Sequence, residues 1–254
     1  MQWKGQEKIV SRFELELRDT ELLPVSKYLF NVVGKNIRPR LVSSLAGAVN
    51  VEYQLDADVK ENVRSRQELV VEMCEMFHTA SLYHDDVIDH ADTRRGQPSV
   101  PAAWSIRHAV LGGDFVLATA YRLLAEIEKD EVTKCMSRIV KDLVEGELLQ
   151  STKIDDLEVY TQKCYLKTAS LIANSCRSVA SLAGKGLEHQ AETFGREIGI
   201  AFQVVDDILD FTATSVELGK PGGGADILQG VRTDPISSTL FKTTKNAGRW
   251  CKGY

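Results

Sequence analysis

Residues 68–96 read ELVVEMCEMFHTASLYHDDVIDHADTRRG. Leu69, Met73, Phe77, Ala80 and His84 recur at three- and four-residue steps, the spacing of one helix face, within a pattern that runs from about Val59 to Asp89. Its last fourteen residues, Tyr83 to Gly96, hold four aspartates and two arginines. Like charges one helical turn apart repel. Such a stretch is either a solvated face or a place where something cationic sits.

The same period extends to both sides. Phe13, Leu17 and the Leu22–Leu23 pair predict a first amphipathic helix, and Leu41, Leu45, Ala48 and Val49 a second. Further helical patterns cover roughly 102–128, 132–149, 157–183 and 188–211, with Gly/Pro punctuation at 34–39, 96–101, 184–186 and 219–224. Alternating strand patterns with turn dipeptides are absent, so the chain reads as all-α.

Composition narrows the function classes. The chain has 254 residues, 43% hydrophobic and 26% charged, with ample apolar material for one core. A net charge of -5 carries no nucleic-acid footprint. Five widely spaced cysteines without a CxxC pair fit reduced core residues. No transmembrane segment is expected, because the best apolar run, Val110 to Ile127, is broken by Asp114 and Arg122. Glu7, Glu14, Glu16, Asp19 and Glu21 make the start too acidic for an import sequence, so no transit peptide is visible.

On a helix Asp85, Asp86 and Asp89 lean over one face, and Asp206, Asp207 and Asp210 repeat the Asp-Asp-x-x-Asp spacing in FQVVDDILDF. Each triplet closes an apolar helical run, where the partial negative charge of the helix end disfavours carboxylates without a counter-cation. Clustered hard oxygen ligands with no His/Cys grouping suit Mg²⁺, which completes its shell with water and substrate phosphates. Lys35 and Arg38 in the Gly/Pro-bounded turn GKNIRP, Arg94 and Arg95 in TRRG, Lys167, and Lys220 in GKPGGG supply phosphate-binding cations. Together they describe a site for two polyphosphate groups.

The blocks GKNIRP, HTASLYHDDVIDHADTRRG, GELLQ, KTASLIANSC, GIAFQVVDDILDFT and GKPGGGAD resemble, in order, the signatures of trans-isoprenyl (polyprenyl) diphosphate synthases, most of all the long-chain solanesyl and decaprenyl group. The resemblance implies an isoprenoid-synthase-type barrel of antiparallel helices around a central cavity. It implies a Mg²⁺-dependent condensation of isopentenyl diphosphate with an allylic diphosphate, farnesyl or geranylgeranyl, to make a long-chain product for a quinone side chain. Asp85, Asp86 and Asp89 would hold two Mg²⁺ ions, and Asp206, with Asp207 and Asp210, a third; Mn²⁺ would substitute. The allylic diphosphate would lie against Arg94, Lys167, Thr168, Gln203 and Lys220. Isopentenyl diphosphate would lie on Lys35, Arg38, His78 and Arg95. Asp85, Asp86, Lys167 and Asp206 are the expected catalytic residues. His84, His90, His108 and His189 receive no role.

Two small residues bear on product length. Ala80 and Ser81 lie one turn before Asp85 and leave a descending tail unobstructed as far as Phe77. The family pattern fades after Asp226, so residues 1–226 are expected to form a C-terminally incomplete synthase domain without its last helices, and 227–254 an irregular tail. A homodimer or hetero-oligomer with a second prenyl synthase subunit is expected, in the mitochondrion for a eukaryotic chain and in the cytoplasm otherwise. A non-catalytic or regulatory subunit is the alternative reading, and a class I terpene cyclase a third.

Overall fold

The computed structural model describes residues 5–18, 20–32, 34–51, 57–150 and 157–212. Ten α-helices, one π-turn and one small hairpin fill them: α1 Gly5–Glu16, α2 Leu22–Asn31, α3 Ile37–Val51, α4 Ala57–Ile88, β1 Thr93–Arg94, β2 Gln97–Pro98, α5 Val100–Ala103, α6 Ile106–Ile127, α7 Asp130–Gln150, α8 Leu157–Cys164, the π-turn Tyr165–Ala169, α9 Ser170–Ala183 and α10 Glu188–Thr212. The all-α expectation holds. Residues 213–254, which include Lys220 and the expected tail, lie outside the described residues.

Helix α4 is the centre. Its 32 residues extend about 48 Å at ~1.5 Å per residue. From Val70 to Phe77 every position is buried, so the helix is enclosed on all sides rather than amphipathic. Helices α6, α9 and α3 pack around it, and α9 is itself buried at every residue except Arg177. Helices α7 and α10 close over the outer faces of α9. Phe13 anchors α1 by edge-to-face contacts with Phe30, at 5.3 Å, and Phe115, at 5.4 Å.

Four sequence expectations change in detail. The first amphipathic helix is two helices, α1 and α2, because Pro24 has no N–H and is accommodated only in the first turn of a new helix. Arg38 lies in the first turn of α3 rather than in the preceding loop, with Pro39 again tolerated near the helix start. The pattern over 102–128 breaks at Trp104 and Ser105, where the Ser105 hydroxyl accepts from the His108 N–H and caps α6. Finally, strand structure does occur. Thr93 pairs with Pro98 and Arg94 with Gln97 across a two-residue turn in which Arg95 (φ 53) and Gly96 (φ 75) are both left-handed, the requirement of a type I′ hairpin.

Candidate active site

The chain reverses immediately after α4. The Asp89 N–H donates to the Asp85 carbonyl at 2.8 Å and the Ala91 N–H to the Asp86 carbonyl at 3.0 Å, with His90 in a left-handed conformation (φ 51). The Ser99 hydroxyl donates to the Ala91 carbonyl, folding the hairpin back onto the helix end. Arg94 is thereby placed on Asp86: its Nε and Nη2 both reach Oδ1, at 2.8 and 2.5 Å. Asp86 is fully buried, and its Oδ2 has no hydrogen-bond partner among the described residues. Leaving a buried acceptor unmade is costly. Burial pushes the Asp85 carboxyl up to about 7 against the pull of Lys167, and Glu147 and Asp89 push it further. These carboxylates are short of positive charge.

Opposite them stands the π-turn. The Ser170 N–H bonds back to the Tyr165 carbonyl, five residues earlier, so the helix carries one extra residue here. Lys167 leaves this turn toward α7 and pairs with Glu147 at 3.2 Å, while also lying within electrostatic reach of Asp85 and Asp89. Thr168 turns toward α10 and donates to Gln203 Oε1 at 2.5 Å. Gln203 Nε2 donates to Asp207 Oδ1 at 2.8 Å, and the Tyr160 hydroxyl donates to Asp207 Oδ2 at 2.6 Å. Asp207 is therefore buried and engaged at both oxygens, whereas Asp206 is exposed. The two neighbours are not equivalent ligands. The side chain of Asp210 is outside what the structure describes.

A basic cluster forms beside these groups. Arg38 Nη1 meets His78 Nε2 at 3.2 Å, its guanidinium lies 5.6 Å from the Phe202 ring centroid, and its Nε is buried without a partner among the described residues. Burial holds His78 well below the ordinary histidine range, with Arg38, Arg95 and Arg94 adding to the effect, so the imidazole is neutral and accepts from Arg38. Arg95 lies over Gly34, where a Cβ would come within 2.9 Å of its Nη1, and exposed Lys35 follows directly. Asp206 acts electrostatically on Arg38, which ties this cluster to α10.

Three participants escaped the sequence reading. Glu75 is buried on α4, one turn from His78, and faces Arg95 and Arg38; burial raises its carboxyl to about 7. Glu147 belongs to the GELLQ block but carries no metal-ligand spacing that would single it out. Tyr160 precedes its recognised block by seven residues. On α4, Ala80 is fully buried, Ser81 returns its hydroxyl to the His78 carbonyl at 2.9 Å, and Phe77 packs edge-to-face on Tyr121 of α6 at 5.6 Å.

Among the described residues no three His, Cys, Asp or Glu side chains converge closely enough to enclose a metal ion. The donor set nonetheless fits Mg²⁺. It is all oxygen, it has an unpartnered buried acceptor on Asp86 and a destabilised charge on Asp85, and Mg²⁺ is ordinarily held by one or two carboxylates with phosphates completing the shell. No helix among the described residues is long and apolar enough to cross a membrane.

Comparison with known proteins converges on one group. The pattern of the Polyprenyl synthetase family matches residues 19–251. An all trans-polyprenyl-diphosphate synthase of Homo sapiens is 41% identical over 231 residues, covering 89% of this chain and 54% of that protein. The crystal structure of heptaprenyl diphosphate synthase from Staphylococcus aureus superposes with a TM-score of 0.78 at 30% identity, over 95% of this chain and 76% of that one. A polyprenyl synthase from Caulobacter crescentus, crystallised with calcium and isoprenyl diphosphate, superposes with a TM-score of 0.73 at 27% identity, over 94% of this chain and 75% of that one. The chain spans from about half to two thirds of the length of the curated relatives it matches most strongly.

Proposed function

The chain belongs to the polyprenyl synthetase family, and on that premise we propose that it condenses isopentenyl diphosphate with an allylic diphosphate to build a long-chain all-trans polyprenyl diphosphate. The observation that carries this reading is the opposition of two charge systems across the ends of α4, α10 and the π-turn. Asp86 carries a buried oxygen without a partner among the described residues, and burial raises the Asp85 and Asp89 carboxyls. Lys167 acts on Asp85 and Asp89, and Asp206 acts on Arg38, whose buried Nε is also unpartnered among the described residues.

The allylic diphosphate lies between Asp85, Asp86 and Asp89 on one side and Asp206 on the other, contacted by Arg94, Lys167, Thr168, Gln203 and Lys220. The two acidic clusters would hold Mg²⁺, three ions in the complete site, and the metal would supply charge neutralisation to the diphosphate as a leaving group. Lys167, paired with Glu147 and within electrostatic reach of Asp85 and Asp89, supplies positive charge to the departing oxygens. Arg94, fixed by Asp86, presents its outer face to the same anion. Isopentenyl diphosphate rests on Lys35, Arg38, His78 and Arg95. A neutral His78 orients Arg38 without adding charge. The double bond of isopentenyl diphosphate attacks the allylic cation, and the proton then lost passes to the released diphosphate. Asp207 takes no direct part; held by Tyr160 and Gln203, it fixes the α10 end that carries Asp206.

Ala80 and Ser81 leave room for the tail below the diphosphate, so product length is set deeper in the fold, and a quinone side chain is the proposed destination. Exposed apolar side chains on α6 (Ile106, Val110, Leu111) and α7 (Val144, Leu148) fit assembly with a second copy or a related subunit. Release of inorganic diphosphate tests the reading: it should require Mg²⁺ and both substrates together. Release from either substrate alone, or none from both, contradicts it, and the second outcome leaves the non-catalytic subunit.

A further inference from the structure

The π-turn is gripped from two sides at glycines. A Cβ on Gly146 of α7 would lie 2.8 Å from the Lys167 backbone nitrogen and 3.1 Å from the Leu166 carbonyl carbon. A Cβ on Gly199 of α10 would lie 2.5 Å from the Ala169 Cα. Both collisions are with main-chain atoms, so no rotamer relieves them. Glycine is a poor residue for a helix interior, and both glycines lie inside long helices. Their value is the close approach. A π-turn is a rare single-turn insertion in an α-helix, and returning it to the α register shifts the following residues by one position. Such a one-residue shift would rotate Lys167 and Thr168 relative to α9 by about 100°, taking one away from Asp85 and Glu147 or the other away from Gln203.

We propose that Gly146 and Gly199 are positioning residues: they let α7 and α10 clamp the π-turn so that Lys167 and Thr168 reach one diphosphate from opposite sides. The proposal rests on the prenyl-transfer reading for what that diphosphate is. The geometry sets the size of the effect. In Gly199→Ala the Ala169 Cα must retreat about 1 Å to reach an ordinary carbon–carbon contact of ~3.5 Å. A misplacement of ~1 Å in a substrate-orienting group costs on the order of 10²-fold.

The test is steady-state kinetics on Gly146→Ala, Gly199→Ala and, as a control, Gly195→Ala. Gly195 makes the same kind of contact, 2.8 Å to the Ala173 Cα and 2.9 Å to the Ile172 carbonyl oxygen, but beyond the π-turn. The first two variants should raise KM for the allylic diphosphate roughly 10- to 100-fold while KM for isopentenyl diphosphate, held from α3, α4 and the hairpin, stays within about twofold. Gly195→Ala should lose comparable thermal stability yet keep the allylic KM within about threefold. Equal KM changes in all three variants, or none in the first two, overturn the proposal. Calorimetric titration of the same variants with inorganic diphosphate and Mg²⁺ reads the clamp even for a wild type that makes no product, which separates its failure from failure of the functional reading. Should both variants lose their helical circular dichroism, amide exchange in the wild type decides. Inorganic diphosphate with Mg²⁺ should slow exchange at residues 166–170 and leave 173–178 unchanged, and no slowing at 166–170 overturns the proposal.

Discussion

Replacing Glu75 by glutamine should stabilise the protein, and only above mildly acidic pH. The carboxyl is 5% exposed, and burial outweighs the attraction of Arg95 and Arg38, raising it from 4.5 to about 7. A carboxyl raised in the fold binds its proton more tightly there than in the unfolded chain. Its contribution to stability is complete below pH 4.5 and is lost as pH climbs through about 7. The shift of about 2.5 pH units, at ~1.36 kcal/mol each, makes the loss roughly 3 kcal/mol. Glutamine keeps the shape and the hydrogen-bonding oxygen but has no proton to lose. Urea unfolding of both proteins at pH 4.5, 6, 7 and 8 measures the difference directly, with other titrating groups cancelling between them. The variant should match the wild type at pH 4.5 and exceed it by roughly 3 kcal/mol at pH 8. A pH-independent difference, or one that favours the wild type at pH 8, would mean that the two guanidiniums hold Glu75 ionised, and the charge balance drawn for the isopentenyl diphosphate cluster would be wrong.

Other perturbations follow from the same geometry. Asp85→Ala should lower kcat by several orders of magnitude and Asp206→Ala by less, since Asp206 serves one expected ion rather than two; near-normal turnover of Asp85→Ala at saturating Mg²⁺ refutes the site. Arg94→Ala strands the buried Asp86 and should cost about 3–5 kcal/mol in urea unfolding near neutral pH, because an uncompensated buried charge remains; a loss below about 1 kcal/mol would place Asp86 in contact with water. Ala80→Phe should shorten the product to three or four isoprene units, on the order of one helical turn below the metal site, with turnover largely kept; an unchanged product distribution puts the tail elsewhere.

The helices were legible because most present a three- and four-residue apolar period, and the aspartate triplets because carboxylates in apolar surroundings are hard to explain by composition. What stayed hidden depends on tertiary position. The hairpin at 93–98 has only two paired residues per strand, too few for an alternating pattern, yet it sets where Arg94 and Arg95 point. The π-turn leaves no periodic trace, since one inserted residue looks like ordinary helical scatter between Cys164 and Ser170. Asp206 and Asp207 look interchangeable in sequence, yet Tyr160 from α8 and Gln203 occupy both oxygens of Asp207 while Asp206 is exposed. Glu75 and Glu147 do not stand out because nothing local in the sequence reveals that Arg38 acts on the one and Lys167 pairs with the other from different helices.

The central claim is that the acidic and basic clusters form one site that joins two diphosphate substrates. Incubation of the purified protein with Mg²⁺, farnesyl diphosphate and labelled isopentenyl diphosphate, followed by chromatography of the products, tests it most directly. Label should appear in a polyprenyl chain well beyond four isoprene units, only when both substrates are present, and should disappear with chelator. Unchanged substrates, or a hydrocarbon or alcohol formed from farnesyl diphosphate alone, would contradict it.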